Sequence, residues 1–223
     1  MLVGLGAVLQ VDPVAAAPAA LFGTAEFRGE SHAALPQWRR VLHDMARDTE
    51  TIRACGRDAA QCPNRATMAW LALLRGLAPE TRLRQVRAVN AFVNRWQYKA
   101  DADNYGQRDY WATPLEFLRR SGDCEDYAIA KYQSLRLLGL PAEALRLVVV
   151  QDTVRDLPHA VLAVYLAEDV YILDNLTDGV LPQRRVVNYV PYYSVNEVTR
   201  WAHTPRDAVV VTSSADDVAP ARP

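Results

Sequence analysis

The segment Gly122-Asp123-Cys124-Glu125-Asp126 sets one thiol among three carboxylates. A glycine precedes it and an apolar-periodic stretch follows, so Cys124 falls at the start of a helix. The helix dipole there favours a thiolate. The three acids work against it, because nearby negative charge raises a thiol's pKa. A bound cation resolves the conflict, and Asp and Glu oxygens are the ligands a hard cation such as Ca²⁺ prefers. Adjacent helical residues point about 100° apart, so Asp123, Glu125 and Asp126 cannot all chelate from a regular turn. The backbone around Asp123 must fold back for them to do so.

A cysteine nucleophile needs a base, and the base needs a group to orient it. Four histidines are available. His32 lies in a polar lead-in, His43 in the first helix and His203 just before the C-terminal tail. His159 opens a strand shortly after the cysteine helix and is the strongest candidate. Asp174, followed by Asn175, lies near the end of the next strand. Cysteine, histidine and aspartate on helix, strand and strand suit a papain-like acyl-transfer site.

Strand geometry alone does not join His159 to Asp174. A simple hairpin of 159–166 and 170–176, turning near Ala167–Asp169, sets His159 opposite residue 177 or 178. Asp174 then lies about 10–13 Å along the strand, and one of the two registers turns it to the other face. The residue types also admit a plainer reading. Cys124 would be a small buried hydrophobe, the acids would be favourable charges in a first helical turn, His159 a strand-start residue and Asp174 a turn residue.

The elements that must position these groups are helices first and strands second. Leu35-Pro36 opens a helix with Trp38, Val41, Leu42, Met45 and Ile52 at helical spacing. A second spans about 65–76, with Met68, Leu71 and Leu73 or Leu74 inward and Gly76 near its end. A third starts at Pro79-Glu80 and runs to about Trp96 along Leu83, Val86, Val89 and Val93. Residues 98–112 form a polar, aromatic loop whose length points to a role. Thr113-Pro114-Leu115-Glu116 reads as cap, N1 proline and N3 acid. The Cys124 helix then runs through Leu138 and stops at Gly139.

From 145 the period changes. LRLVVVQD (145–152), HAVLAVYL (159–166) and VYILDNL (170–176) are β-rich runs with polar turns between them. Val186 to Tyr193 reads as a further strand and 196–201 as a short helical turn. The order gives an α+β fold with N-terminal helices packed on an antiparallel sheet.

The chain has 223 residues, half of them hydrophobic, enough for one sizeable core. A net charge of −1 provides no field for nucleic acid or an anionic membrane. Residues 1–23 are apolar and then rich in small residues, like the apolar and cleavage regions of a secretory signal. Arg28 is the first cation, so the basic start of such a signal is missing and the true start is left open. Asp12 and Pro13 break the stretch well short of the roughly 20 residues of a membrane span. In an exported protein Cys55 and Cys62 can pair locally, leaving Cys124 as the odd thiol. Residues 204–223 are rich in Pro, Ala and Asp and are expected to be disordered. The folded domain is therefore expected over 24–203.

The stretch DADNYGQRDYWATPLEFLRRSGDCEDYAIAKYQSLRLLG (101–139) resembles the signature of the bacterial transglutaminase-like cysteine proteinases of LapG type. HAVLAV supplies the matching histidine and LDNL the aspartate. The similarity covers roughly 35–203, and its Gly-Asp-Cys-Glu-Asp-Tyr core is more specific than a bare count of Cys, His and Asp. It implies a papain/transglutaminase-like core with a Cys124, His159, Asp174 triad, and Ca²⁺ bound by Asp123, Glu125 and Asp126. It further implies a periplasmic endopeptidase that clips a large surface adhesin near its N-terminal retention module, typically at an Ala-Ala pair. Release of the adhesin promotes biofilm dispersal. An inner-membrane receptor for cyclic di-GMP sequesters such an enzyme.

Within that reading the Cys124 N–H is an oxyanion donor, with a second donor from the 98–112 loop. Tyr105, Tyr110 and Trp111 either wall the substrate groove or anchor the core. The competing classes are a transglutaminase or amidase using the same triad, a non-catalytic calcium-binding module, and a structural adaptor.

Overall fold

Proline costs nothing in a first helical turn, where its missing N–H is not needed, and α1 runs Pro36–Arg57. Its expected stripe faces inward, with Trp38, Val41, Met45 and Ile52 buried. A disulfide between Cys55 and Cys62 closes the polar loop after it. The computed structural model describes residues 20–167 and 169–206. The expected export segment at 1–19 and the tail beyond 206 lie outside the described residues.

α2 (Arg65–Leu77) starts at Asn64, whose Oδ1 accepts from the Thr67 N–H at 2.8 Å. Its inward stripe is Thr67, Trp70, Leu71, Leu74 and Leu77. Met68 falls off this stripe and is exposed, contrary to expectation. Trp70 is buried instead and donates from its indole to Ser134 Oγ at 2.8 Å. α3 (Arg82–Val93) starts after Thr81, later than the Pro79-Glu80 pair suggested, because that pair is spent on a turn closed by Glu80 N–H to Leu77 O at 3.0 Å.

The long loop contains a short helix, α4 (Asp101–Tyr105), ended by Gly106 in the left-handed region at φ 65°. α5 (Pro114–Arg120) has the reciprocal cap its sequence encodes. Thr113 N–H donates to Glu116 Oε2 at 2.8 Å, and Glu116 N–H to Thr113 Oγ1 at 3.4 Å. α6 (Cys124–Leu137) follows, and Gly139 turns the chain at φ 86°.

The strands are β1 (Ala25–Gly29), β2 (Leu145–Asp152), β3 (Leu157–Tyr165), β4 (Val170–Asp174), β5 (Thr177–Pro182), β6 (Tyr189–Val195) and β7 (Arg200–Thr204). They form one antiparallel sheet in the order β1-β7-β6-β2-β3-β4-β5. Alternation sends Leu145, Leu147, Leu162, Val164, Leu173 and Val195 into the core under the helices. Val148, Val150, Val161, Ala163, Ile172 and Tyr189 face a second, smaller core that also holds Leu21. This is the α+β arrangement expected. Among the described residues no helix is long and apolar enough to cross a membrane.

Several boundaries differ from expectation. Residues 21–23, expected in the export segment, form a 3-10 turn with Leu21 buried. The polar lead-in contributes edge strand β1, and Thr204 still belongs to β7. Residues 196–201 are not a helical turn. Asn196 Oδ1 accepts from the N–H groups of Val198 and Thr199 at 2.9 and 2.8 Å, an asparagine turn that feeds β7.

Candidate active site

Cys124 is the first residue of α6, and the turn before it is held by Asp126. Asp126 Oδ1 accepts from the Ala112 N–H at 2.5 Å and Oδ2 from the Asp123 N–H at 3.2 Å. One carboxylate thus ties the 98–112 loop to the helix start. A Cβ at residue 122 would lie 2.6 Å from Asp126 Cβ and Cγ, so the motif needs glycine there. Gly122 O in turn accepts from the Lys99 N–H at 2.8 Å.

The half-buried Cys124 thiol donates to Glu125 Oε2 at 3.2 Å. Burial, and then the charge of Glu125, push its pKa well above the usual thiol range. The backbone N–H of Ala160 approaches the sulfur and pulls the other way. The β3–β4 ladder explains why that N–H is available: its pairing runs from Tyr165–Val170 to Leu162–Leu173 and goes no further toward Ala160. The sulfur therefore docks on β3 one residue from His159.

His159 is buried, and its Nε2 lies 2.8 Å from Asp174 Oδ1. Continuing the observed register sets His159 opposite Leu176, not residue 177 or 178. Asp174 is then two residues away on the same face, a diagonal that two side chains can span. Asp174 ends β4, where the register with β5 shifts. Tyr189 Oη donates to Asp174 Oδ2 at 2.5 Å, and the Leu176 N–H donates to Oδ1 at 3.0 Å. Burial works against the Asp174 carboxylate, but hydrogen bonds from His159, Tyr189 and Leu176 outweigh it and hold its pKa below the usual value. An ionised Asp174 fixes the proton on Nε2 and leaves Nδ1 as the basic nitrogen.

The acids beside the thiol form two overlapping groups. Asp101, Asp123 and Asp126 offer oxygens within 4.8 Å of one another, and so do Asp101, Asp109 and Glu125. Burial and the charge of Glu125 push Asp123 up to about 9. Burial likewise raises Asp101 and Glu125, and raises Asp126 well above its ordinary value. Asp101 Oδ1 and Asp123 Oδ1 are buried without a hydrogen-bond partner. Orphaned, converging carboxylate oxygens of this kind fit a hard cation. Asp123 precedes the regular helix, in extended conformation at φ −106°, ψ −163°.

A family model described as bacterial transglutaminase-like cysteine proteinase matches residues 46–208. The chain belongs to this family. Among solved structures it resembles Legionella pneumophila LapG, at 30% identity over 68% of this chain and 87% of that one, with a TM-score of 0.60. A calcium-bound form of that LapG matches at 30% identity over 69% and 86%, with a TM-score of 0.61. An EGTA-treated form matches at 27% identity over 71% and 92%, with a TM-score of 0.60. No curated protein matches the chain.

In this cysteine proteinase the structure brings His159 to Asp174 and sets Cys124 at the first position of α6, which packs on β3. It splits the expected Asp123, Glu125, Asp126 set between two groups and adds Asp101 and Asp109. The length and acidity of the 98–112 loop were the signal for these two. Tyr189 had no sequence signal, because its partner Asp174 is reached only across the sheet. Of the three loop aromatics, Trp111 packs edge-on to Trp38 with ring centroids 6.4 Å apart and is a core anchor. Tyr105 and Tyr110 stack at 4.1 Å on the open side, where they line a groove with Asp48, Glu116 and Arg120.

Proposed function

We propose that this proteinase is a calcium-dependent endopeptidase of the periplasm that cleaves the N-terminal region of a large surface adhesin, releasing it and promoting biofilm dispersal. Cys124 is the nucleophile, His159 the base and Asp174 the group that orients it. The observation that carries this reading is the 2.8 Å contact between His159 Nε2 and Asp174 Oδ1.

His159 Nδ1 takes the thiol proton, and the sulfur attacks the peptide carbonyl carbon. The Cys124 N–H, at the helix start, stabilises the oxyanion. The C–N bond breaks as His159 returns the proton to the leaving amine. Water, deprotonated by the same imidazole, then attacks the thioester, and the C–S bond breaks to free the thiol. Asp101, Asp123 and Asp126, with Asp109 and Glu125, would hold Ca²⁺, whose charge offsets the acids that otherwise disfavour a thiolate.

Support for the substrate and setting comes from family membership and the likeness to LapG. The Cys55–Cys62 disulfide fits an oxidising compartment such as the periplasm. An inner-membrane cyclic di-GMP receptor that sequesters the enzyme belongs to the same proposal. The test is incubation with a retention-module fragment of an adhesin from the same organism, with calcium or EGTA, read by mass spectrometry. Two fragments that appear only with calcium and vanish in Cys124→Ala are expected. Cross-linked products instead of fragments would reassign the chain to acyl transfer onto amines, and cleavage by Cys124→Ala would remove the nucleophile.

A further inference from the structure

Tyr98 is one of the large apolar side chains left in solvent, at 55% exposure. It stands on the short exposed stretch 97–99, between the turn that follows α3 and the start of α4 at Asp101. Tyr98 forms an isolated parallel bridge with Gly122. Gly122 stands two residues before Cys124, so the bridge flanks the helix start that bears the thiol.

In parallel pairing the residues on either side of the bridge bond the partner chain, and the bridge residue's own N–H and C=O point the opposite way. Lys99 N–H accordingly donates to Gly122 O at 2.8 Å. Gln97 O accepts from Ser121 Oγ, and Trp96 O from Tyr127 Oη at 2.5 Å. The N–H and C=O of Tyr98 itself have no hydrogen-bond partner among the described residues. Open space of about 600 Å³ adjoins the stretch, with Gln97, Tyr98, Lys99, Asp103 and Arg120 on its walls. Unpaired backbone of this kind is a sheet edge, which an extended peptide completes by exchanging N–H and C=O bonds with it. Trp96 O is spent on Tyr127 and Ala100 begins the cap of α4, so the edge is one residue long and takes two hydrogen bonds.

We propose that the N–H and C=O of Tyr98 bind one residue of the substrate main chain and hold an extended segment beside Cys124. The proposal rests on the peptidase reading and adds the form of substrate that the site takes. At ordinary strand spacing and rise, a chain paired with Tyr98 lies about 12 Å from Cys124, a span that about four extended residues cover. The substrate is therefore an unfolded, extended polypeptide, recognised near the scissile bond through its backbone. Proline is refused at the paired residue, because it has no N–H to give to Tyr98 O. The Tyr98 ring flanks the bound segment.

The test is amide hydrogen exchange on the calcium-loaded Cys124→Ala protein, with and without a synthetic retention-module peptide that has a central Ala-Ala pair. The Tyr98 amide should exchange freely alone and at least about tenfold more slowly with peptide, as for one new hydrogen bond. The Lys99 amide, already bonded to Gly122 O, should be protected in both states and serves as the internal control. Exchange at Tyr98 that the peptide leaves unchanged would overturn the proposal. A second arm compares Tyr98→Ala with Tyr98→Pro. Both remove the ring, and only proline removes the N–H, a donor unspent in the free protein. Tyr98→Pro should bind the peptide about tenfold more weakly than Tyr98→Ala, and equal affinities in the two folded variants would overturn the proposal. Cleavage of the same peptide by the wild type is scored separately. Protection at Tyr98 without cleavage would remove the peptidase reading alone, and cleavage without protection would remove the Tyr98 edge alone.

Discussion

Asp126 occupies the space that a side chain at residue 122 would need. Its Cβ and Cγ would lie 2.6 Å from a Cβ placed there, and its two oxygens bridge the N–H groups of Ala112 and Asp123. Gly122→Ala should therefore displace the carboxylate and free the loop from the helix start. We expect calcium affinity to fall by more than about tenfold, and the melting temperature by several degrees, as for loss of a buried charged hydrogen bond. Isothermal titration and thermal melts read the two effects. A variant that binds calcium like the wild type would refute this account of the glycine.

Asp101 is the candidate ligand that the motif alone does not reveal. It belongs to both acidic groups and buries one oxygen without a partner. Asp101→Asn should weaken calcium binding more than Asp103→Asn, whose carboxylate lies outside both groups. Titration of the two variants side by side, with folding checked by circular dichroism, decides it. Equal affinities would place the ion elsewhere.

Tyr189 should matter to turnover more than to substrate binding. Its hydroxyl donates to Asp174 Oδ2 at 2.5 Å, and its ring centroid is 5.7 Å from that of His159. Tyr189→Phe keeps the ring and removes one hydrogen bond to a charged group, worth about 1.5–3 kcal/mol. Kcat should drop by roughly 10–100-fold with KM nearly constant. A changed KM with kcat intact would mean that Tyr189 contacts the substrate.

His203 gives the fold an acid limit away from the active site. Its buried ring is held on both nitrogens, by Thr24 Oγ1 at 2.9 Å and Ser194 Oγ at 2.8 Å. Burial lowers its pKa from 6.5 to about 4. The unfolded chain thus takes up this proton first. The associated stability is complete above pH 6.5 and is lost as pH falls toward 4. His203→Gln should flatten the fall in melting temperature across that window. An unchanged slope would show that another group sets it.

The helix stripes, the Thr113 cap and the three residues Cys124, His159 and Asp174 were legible in the sequence, because each is a local pattern or a specific motif. The meeting of His159 with Asp174 was not. It depends on a register in which His159 faces residue 176, a matter of one or two residues that no turn residue declares. β1 and β7 pair with each other at the sheet edge, and neither carries the unbroken β-rich run that marks β2 and β3. β5 falls in the stretch 177–185, to which the sequence reading assigns no element. Met68 was assigned inward because a one-residue error of phase rotates a helix by about 100°, and Trp70 holds the true stripe. Asp101 and Asp109 lie 17 or more residues before Asp126, and only the folded loop closes that distance.

β1 and β7 run antiparallel with Ala25 opposite Thr204, so both ends of the described fold meet at one margin of the sheet. β3, which carries His159, is four strands from β1 and three from β7 in the order, roughly 14–20 Å at ordinary strand spacing. Chain added at Ala25 or Thr204 therefore leaves the sheet at the margin away from His159. A surface-tethered form of the protein attached at that margin would hold His159 and Asp174 away from the tether.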